Sequence, residues 1–210
     1  MNNETVVIGC GGHSRTILNI LIQENKDNVV GLYDLNEFDS NETILGIPVL
    51  GNITELLDQT LNRKVNLYLA IGDNCIRQNW FERLNDIGYS LKNLISSSAN
   101  TSINATFGIG SLVCSQVYVG PEASIGSNSI INTSSIIEHE TKIGAASHIA
   151  PGCTIAGRTT IGNRVFIGAG STVVDNISIC DDVIIGAGST VINSITVPGT
   201  YVGVPAKILK

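Results

Sequence analysis

The sequence predicts a small α/β domain followed by a parallel β-helix solenoid. Over the first hundred residues, apolar runs alternate with amphipathic segments, which is typical of strands and helices around a parallel sheet. Most of the remaining chain repeats with a period of six, which is typical of stacked turns that bury one continuous core. The polar run Ser96–Ser102 separates the two patterns, so we place the domains at residues 1–98 and 99–210.

Composition and charge exclude several classes of function. Of the 210 residues, 14% are charged and 5% aromatic, and the formal net charge is −6. No run of about 18 apolar residues occurs and no secretory leader is recognisable, so we expect a cytoplasmic protein without membrane insertion. The acidic balance and the lack of a Lys/Arg cluster argue against a nucleic-acid partner. The cysteines are odd in number without a CxxC pair, which favours free thiols.

Each element of the N-terminal domain follows from a local pattern. Short apolar runs that end in glycine or a carboxylate are typical of buried parallel strands. Segments with apolar residues at helical spacing lie between them. Ligands of such a sheet bind at the carboxyl ends of its strands. The predicted strands are Thr5–Gly9, Val29–Asp34, Val65–Ile71 and Leu91–Ile95, and the predicted helices are Arg15–Gln23, one opened by Thr54, and Ile76–Leu84.

The glycine loop after the first strand is a candidate binding site. Its pattern is GxGxxS, with Ser14 in place of the third glycine of a dinucleotide-binding loop, so a nicotinamide site is weakly supported. The loop does present backbone N–H groups at a helix N-terminus, where an anion is favoured. His13 and Arg15 add donors beside it, and Asp34 could hold a ribose hydroxyl. We interpret the loop as a phosphate or pyrophosphate cradle; the alternative is a purely structural turn.

The period of six holds in unbroken register from Phe107 to Val197, over sixteen apolar positions. A second column lies four residues later, from Ser111 to Tyr201, and all its members except Tyr201 are small or β-branched. If three hexads form one coil, residues eighteen apart lie above one another in neighbouring hydrogen-bonded strands. The two columns are therefore predicted to fill the core of the solenoid.

Two histidines stand out among the small polar residues of the turns. His139, beside Glu140, occupies the third position of its hexad, so Gly157, eighteen residues later, is expected directly above it. A histidine beneath a backbone N–H suits a base next to an oxyanion donor, and Glu140 could orient that base. His148 lies nine residues on, half a coil away, and is expected on the opposite side of the prism. Any site that uses both histidines would then join two subunits.

The same pattern of histidines permits two other interpretations. Both could be ordinary polar residues on corner turns. A zinc site is disfavoured, because the solenoid has only two histidines and they are not closely spaced. We therefore expect no metal.

Three blocks of the sequence resemble one enzyme family. They are VIGCGGHSR at residues 7–15, INTSSIIEHE at 131–140 and YVGVPAK at 201–207. These blocks are similar to those of the NeuD/PglD-like sugar O- and N-acetyltransferases. The resemblance implies a Rossmann-like nucleotide-sugar-binding domain followed by a left-handed β-helix acetyltransferase domain of hexapeptide repeats, assembled as a homotrimer with intersubunit active sites.

The same resemblance implies a reaction. Its PglD-like members N-acetylate the 4-amino group of a nucleotide-linked 4-amino-4,6-dideoxy sugar, with acetyl-CoA as the donor. For this chain we expect such a nucleotide sugar, with UDP as its nucleotide, and acetyl-CoA as co-substrate. Two alternatives remain open: an O-acetyltransferase of sialic acid or another surface-polysaccharide sugar, and a non-enzymatic trimeric scaffold that binds a nucleotide.

Roles for individual residues also come from the resemblance. It implies that His139 is the general base, that Glu140 supports it, and that the N–H of Gly157 faces the thioester oxygen. Asn132 and His148 match polar groups near the transfer site, and acetyl-CoA is expected along Gly157, Gly168 and Ala187. The residues that match the nucleotide-sugar site are Gly11, His13, Ser14, Arg15 and Asp34.

Overall fold

The computed structural model of the chain describes residues 4–36, 41–58 and 65–209. The chain divides into two compact units, Met1–Lys92 and Asn93–Lys210. The expected limit after residue 98 lies inside the second unit, because Leu94–Ile95 already pairs in parallel with Leu112–Val113 as a solenoid strand.

The first unit is a six-stranded sheet with helices between its strands. In the described residues, the strand order is β3-β4-β2-β1-β5-β6, and every pair is parallel except β3 with β4. No helix in these residues is long and apolar enough to cross a membrane. The strands are β1 (Glu4–Ile8), β2 (Asn28–Asp34), β3 (Thr43–Ile44), β4 (Ile47–Asn52), β5 (Asn66–Leu69) and β6 (Ser90–Leu91), and the helices are α1 (Gly12–Gln23), α2 (Ile53–Asp58) and α3 (Asn74–Ile87).

The helices of this unit start and end where side chains and glycine favour it. Asp73 caps α3, because its carboxylate accepts the N–H of Ile76 at 2.8 Å. Gly88 ends α3 with a φ of 95°, in the left-handed region that glycine adopts without steric cost. Helix α1 buries one apolar stripe that includes Leu18 and Leu21.

The predicted strand Leu91–Ile95 is wrong as a single element. Lys92 N–H still bonds to the carbonyl of Leu67 in the first unit, whereas Leu94 N–H bonds to the carbonyl of Ser111 in the second. The apolar run therefore supplies two short strands to two different sheets.

The second unit is a three-sided solenoid whose strands stack in parallel on each face, except that the last strand of the first face is antiparallel to its neighbour. The first face contains β7 (Leu94–Ile95), β10 (Leu112–Val113), β13 (Ile130–Ile131), β16 (His148–Ile149), β19 (Phe166–Ile167), β22 (Val183–Ile185), β24 (Gly199–Val202) and β25 (Lys207–Ile208). The second contains β8 (Asn100–Thr101), β11 (Tyr118–Val119), β14 (Ile136–Ile137), β17 (Thr154–Ile155), β20 (Thr172–Val173) and β23 (Thr190–Val191). The third contains β9 (Thr106–Phe107), β12 (Ser124–Ile125), β15 (Lys142–Ile143), β18 (Thr160–Ile161) and β21 (Ser178–Ile179).

The eighteen-residue coil and both core columns are confirmed over most of the solenoid. Ile131 pairs with Ile149, eighteen residues later, and both are fully buried. Buried hydroxyls of the second column are satisfied by carbonyls fifteen residues on: Ser129 Oγ donates to Gly144 O and Ser147 Oγ to Gly162 O, each at 2.8 Å. These bonds remove the cost of burying a polar group. Small hydroxyl residues can therefore fill the corners of the core.

The register differs from the prediction at its two ends. The solenoid begins before Phe107, which is only half-buried. At the other end Ile185 pairs with Tyr201, sixteen residues later, so the last coil is two residues shorter. Val197 is consequently 56% exposed, and its predicted place in the core is wrong.

Candidate active site

His139 lies in the turn between β14 and β15, against Gly157 in the next coil. A Cβ atom on Gly157 would lie 2.6 Å from both Cε1 and Nε2 of the imidazole ring. No side chain fits there unless the ring moves. The predicted position of Gly157 above His139 is thus confirmed, and the ring occupies the space that a side chain at residue 157 would fill.

Gly157 is buried, and its backbone N–H is not used within the solenoid as those of its neighbours are. The neighbouring N–H groups are used within the solenoid, Ala156 N–H by Val173 O at 3.0 Å and Arg158 N–H by His139 O at 2.9 Å. Among the residues whose placement is described, none accepts a hydrogen bond from Gly157 N–H. The His139 imidazole and an N–H without an acceptor among the described residues therefore lie at one corner, between the second and third faces.

Glu140 binds the other side of the His139 ring. Its Oε2 lies 3.0 Å from His139 Nδ1 and 2.9 Å from Arg158 Nε. The hydrogen bonds from His139 and then Arg158 lower the pKa of Glu140, so the carboxylate is held as an anion. An anionic acceptor at Nδ1 keeps the proton of a neutral imidazole on that nitrogen and leaves Nε2 as the proton acceptor.

Arg158 is a residue of this site that the sequence analysis missed. A signal was present: the eighteen-residue spacing that places Gly157 above His139 also places Arg158 above Glu140. Glu140 and Arg158 both occupy the fourth position of their hexads, and their φ values are 57° and 58°. Equivalent backbone conformations in successive coils align their side chains along the corner.

His148 lies on the first face, opposite the corner that carries His139. It is 8% exposed in β16, and its ring packs edge-on against Phe166 with centroids 5.2 Å apart. Asn132 Oδ1 accepts the N–H of Thr133 at 2.8 Å, which turns Asn132 Nδ2 towards His148 Nε2 at 3.2 Å. Since an amide NH₂ only donates, this geometry makes Nε2 of His148 an acceptor. The predicted separation of the two histidines within one chain is confirmed.

Gly168 and Ala187 lie at a different corner from His139. A Cβ atom on Gly168 would lie 2.5 Å from the backbone nitrogen of Ala187, so these residues stack closely after the first face. Asn132 comes directly after β13, as Gly168 comes directly after β19, so it lies at the same corner two coils earlier. One chain therefore carries two separate groups of predicted residues: His139, Glu140 and Gly157 at one corner, and Asn132, His148, Gly168 and Ala187 on and beside the first face.

The glycine loop of the first unit borders a cavity of about 420 Å³. Of the predicted residues, Gly11 and Asp34 line this cavity, together with Cys10, Glu42 and Gly72. Asp34 accepts the N–H of Cys10 at 2.7 Å and that of Asn36 at 2.9 Å. Partial burial raises the pKa of Asp34, but these hydrogen bonds outweigh it and hold the carboxyl ionised. Asp34 thus joins the glycine loop to the end of β2.

The other predicted loop residues lie around the cavity rather than in its lining. Ser14 is fully buried and its hydroxyl donates to Gly11 O at 2.6 Å, so it shapes the loop instead of facing a ligand. Arg15 is exposed, with Nη1 3.2 Å from Gly11 O. Burial, with the nearby charge of Arg77, lowers the pKa of His13 to about 4, so its imidazole is neutral at pH 7.

Arg77 is a second residue whose importance the sequence did not reveal. Arg77 is 1% exposed, and its guanidinium donates to the carbonyls of Ile71 and Gly72, each at 3.0 Å. These carbonyls follow β5 and border the same cavity. Arg77 therefore cross-links this edge of the sheet to α3.

In the part of the chain that is described, no group of three His, Cys, Asp or Glu side chains is arranged to hold a metal ion.

Two family profiles match the chain. The profile described as PglD N-terminal domain matches residues 4–84, and that of the bacterial transferase hexapeptide (six repeats) matches residues 158–193. Comparison with curated protein sequences finds no match.

Solved structures match over the whole chain. A histidine-to-alanine mutant of GDP-perosamine N-acetyl transferase from Caulobacter crescentus, in complex with CoA and GDP-perosamine, is 33% identical over 100% of this chain and 98% of that one, with a TM-score of 0.90. The acetyltransferase domain of PglB from Neisseria gonorrhoeae FA1090, in complex with acetyl coenzyme A, is 29% identical over 100% of both chains, with a TM-score of 0.91. WeeI from Acinetobacter baumannii AYE, at 23% identity and a TM-score of 0.89, shares the fold.

These matches cover both units and agree with the solenoid and glycine-loop architecture described above. The solenoid is a left-handed parallel β-helix of hexapeptide repeats, and the first unit is Rossmann-like. The chain is therefore an acyltransferase that belongs to the NeuD/PglD-like family of sugar acetyltransferases.

Proposed function

We propose that this enzyme transfers the acetyl group of acetyl-CoA to the 4-amino group of a nucleotide-linked 4-amino-4,6-dideoxy sugar. The observation that carries the proposal is the packing of the His139 ring against Gly157, whose N–H has no acceptor among the described residues. The two residues are 18 apart in sequence and one coil apart in space. The Caulobacter crescentus relative, bound to CoA and GDP-perosamine, supports the donor and the class of acceptor.

His139 acts as the general base. Glu140 holds the ring through Nδ1, so Nε2 accepts a proton from the sugar amine as its nitrogen attacks the thioester carbonyl. The carbonyl oxygen becomes an oxyanion, which the N–H of Gly157 stabilises. When the tetrahedral intermediate collapses, the C–S bond breaks and the CoA thiolate takes the proton from His139. The new bond is the amide C–N bond, and no acyl-enzyme forms.

The first unit supplies the nucleotide site. Its cavity lies beside Gly11 at the N-terminus of the 12-residue helix α1, where backbone N–H groups favour a diphosphate. Arg15 adds a cation near this terminus. Asp34 is placed for a ribose or base N–H or O–H donor rather than for a phosphate, because it is an anion. UDP is the nucleotide that we expect, and the GDP-perosamine relative makes GDP the second candidate.

The complete transfer site requires a second copy of the chain. Within one chain, His139 and Gly157 lie at a corner opposite the face that carries His148, and Gly168 and Ala187 lie beyond that face. We propose that three chains form a C3 homotrimer in which the His139 corner of one subunit faces the His148 side of the next. Acetyl-CoA then binds between two solenoids.

The test is an assay of CoA thiol release with a panel of acceptors. UDP-, GDP- and dTDP-linked 4-amino sugars are compared with matched 4-hydroxy sugars and with free sialic acid. We expect turnover with one nucleotide series and only with the 4-amino compounds. Equal or greater turnover with hydroxyl acceptors would instead support the O-acetyltransferase alternative. No thiol release with any acceptor, together with nucleotide binding, would support a non-enzymatic scaffold.

A further inference from the structure

Arg158 binds both members of the His139–Glu140 pair from the next coil. Its Nε lies 2.9 Å from Oε2 of Glu140, the same oxygen that lies 3.0 Å from Nδ1 of His139. Its backbone N–H donates to the carbonyl of His139 at 2.9 Å. The backbone bond survives substitution of the side chain, so the contribution of the guanidinium can be tested separately.

Glu140 needs a second contact to be held in place. Its side chain is 43% exposed, and an exposed ion pair of this kind is weak because solvent screens it. A carboxylate held only by the adjacent ring would exchange among rotamers and lose the hydrogen bond to Nδ1 for part of the time. Two donors on the same oxygen, one from the same turn and one from the coil above, restrict that motion.

We propose that Arg158 is a positioning residue that holds Glu140 against Nδ1 of His139 and so keeps Nε2 free to accept a proton. The inference rests on the proposed function in that it takes His139 to be the base. Arg158 does not itself touch the reacting atoms in this account. Its effect on the reaction passes through Glu140.

The charges around the corner favour this role. Glu122 occupies the turn position of Glu140 one coil earlier, and Asp175 occupies that of His139 two coils later. Both are acidic, as is Glu138 next to the histidine. Arg158 lies between these carboxylates and pairs with the one that contacts the ring. It therefore offsets the negative charge of Glu140 while fixing its orientation.

The solenoid offers a matched control at another corner. Arg164 Nε lies 2.7 Å from Oδ1 of Asp182, and its Nη2 lies 2.7 Å from Oδ2 of the same carboxylate. The two residues are eighteen apart, like Glu140 and Arg158, and Arg164 has a φ of 54°. This pair lies between the third and first faces, away from His139. Removing it breaks the same kind of interaction without touching the proposed base.

A double-mutant cycle tests the coupling. Ala146 already occupies the same turn position with a φ of 54°, so alanine is tolerated there. We expect Arg158→Ala to lower kcat about tenfold with an unchanged KM for acetyl-CoA, and to change kcat less than about twofold in a Glu140→Ala background. Arg158→Lys should recover part of the loss, and Arg164→Ala should leave kcat unchanged. An equal loss in both backgrounds, or a rise in KM alone, would overturn the proposal.

A second measurement needs no substrate. Nitrogen-15 NMR of the imidazoles reports which ring nitrogen carries the proton, and His139→Gln assigns the signals of His139 among the three histidines. We expect the Nδ1–H tautomer in the unmodified protein and in Arg164→Ala, and a shift towards Nε2–H in Arg158→Ala. An unchanged tautomer in Arg158→Ala would overturn the positioning role whatever the activity. A tautomer shift in a protein that transfers no acetyl group would support the positioning role and refute the proposed function.

Discussion

The imidazole of His139 lies against Gly157, with its Cε1 and Nε2 atoms 2.6 Å from the position that a Cβ atom would take. This contact joins the proposed base to the proposed oxyanion donor across one coil. It depends on the absence of a side chain at Gly157. The sequence spacing of eighteen creates the contact, because it places equivalent turn positions of successive coils above one another.

Gly157→Ala should displace the ring and leave the fold intact. The φ of Gly157 lies outside the left-handed region, so alanine adds no backbone strain there. A displacement of about 1 Å at a reacting group can cost about a hundredfold in rate, and we expect a loss of kcat of that order. Steady-state kinetics and thermal unfolding measure the two effects.

Gly152→Ala is the opposite control. Gly152 has a φ of 69° and open space around its Cα, so alanine there should cost stability, by about 1 kcal/mol, and not activity. If Gly157→Ala keeps its kcat, the ring of His139 is not held where the account requires it.

Subunit complementation tests the shared site. His139→Ala and His148→Ala each remove one side of the proposed interface, so each homotrimer should have low activity. Mixed trimers would contain some sites with an intact His139 corner and an intact His148 side. We expect activity to reappear when the two variants are unfolded, mixed and refolded together. Recovery no greater than the sum of the two separate variants would contradict a site shared between subunits.

The free energy of unfolding tests where the buried hexapeptide register ends. Ile149 is fully buried, so Ile149→Ala should lower the free energy of unfolding by about 2–5 kcal/mol. Val197 is 56% exposed although it continues the same period, so Val197→Ala should change that free energy by less than about 0.5 kcal/mol. Urea unfolding monitored by circular dichroism compares the variants. Similar losses at both positions would mean that the register continues to Val197.

Acid should destabilise the first unit through His13. Burial, with the charge of Arg77, lowers the pKa of His13 to about 4, from 6.5 in an unfolded chain. Between these values the unfolded state binds more protons, so stability falls as the pH is lowered through this window. We expect a loss of about 2 kcal/mol between about pH 7 and about pH 5.

The measurement is urea unfolding followed by the fluorescence of Trp80, the single tryptophan of the chain, which lies in α3. His13→Gln cannot titrate and should lose that part of the pH dependence. His139→Gln, in the other unit, should retain it. If the two variants respond to pH alike, His13 is not the group responsible.

Much of the fold could be predicted because the solenoid repeats one environment. The middle coils bury the same two columns, so spacing alone predicts that Ile131 pairs with Ile149. The same arithmetic locates Gly157 over His139 and, had it been applied one position further, Arg158 over Glu140. Local sequence could not show that the last coil is two residues shorter, because that depends on the register in which β24 pairs with β22.

In the first unit, the parts that could not be predicted depend on tertiary contacts. The apolar run that supplies both β6 and β7 carries no information on which sheet each half joins. The GxGxxS pattern located one edge of the cavity. It could not show that the Ser14 hydroxyl turns inward and donates to Gly11 O. Arg77 is likewise buried because its guanidinium donates to the carbonyl of Ile71, which lies outside α3.

The most direct test of the account is the reaction of His139→Ala with the nucleotide-linked 4-amino sugar that the unmodified enzyme accepts. Mass spectrometry of the sugar product and CoA thiol release are measured together, with nucleotide-sugar binding as a control for folding. A general base contributes about 10²–10⁴ in rate, so we predict a loss of kcat in that range while binding and trimer formation persist. A variant that acetylates the amine at close to the original kcat would contradict the assignment of His139 as the base.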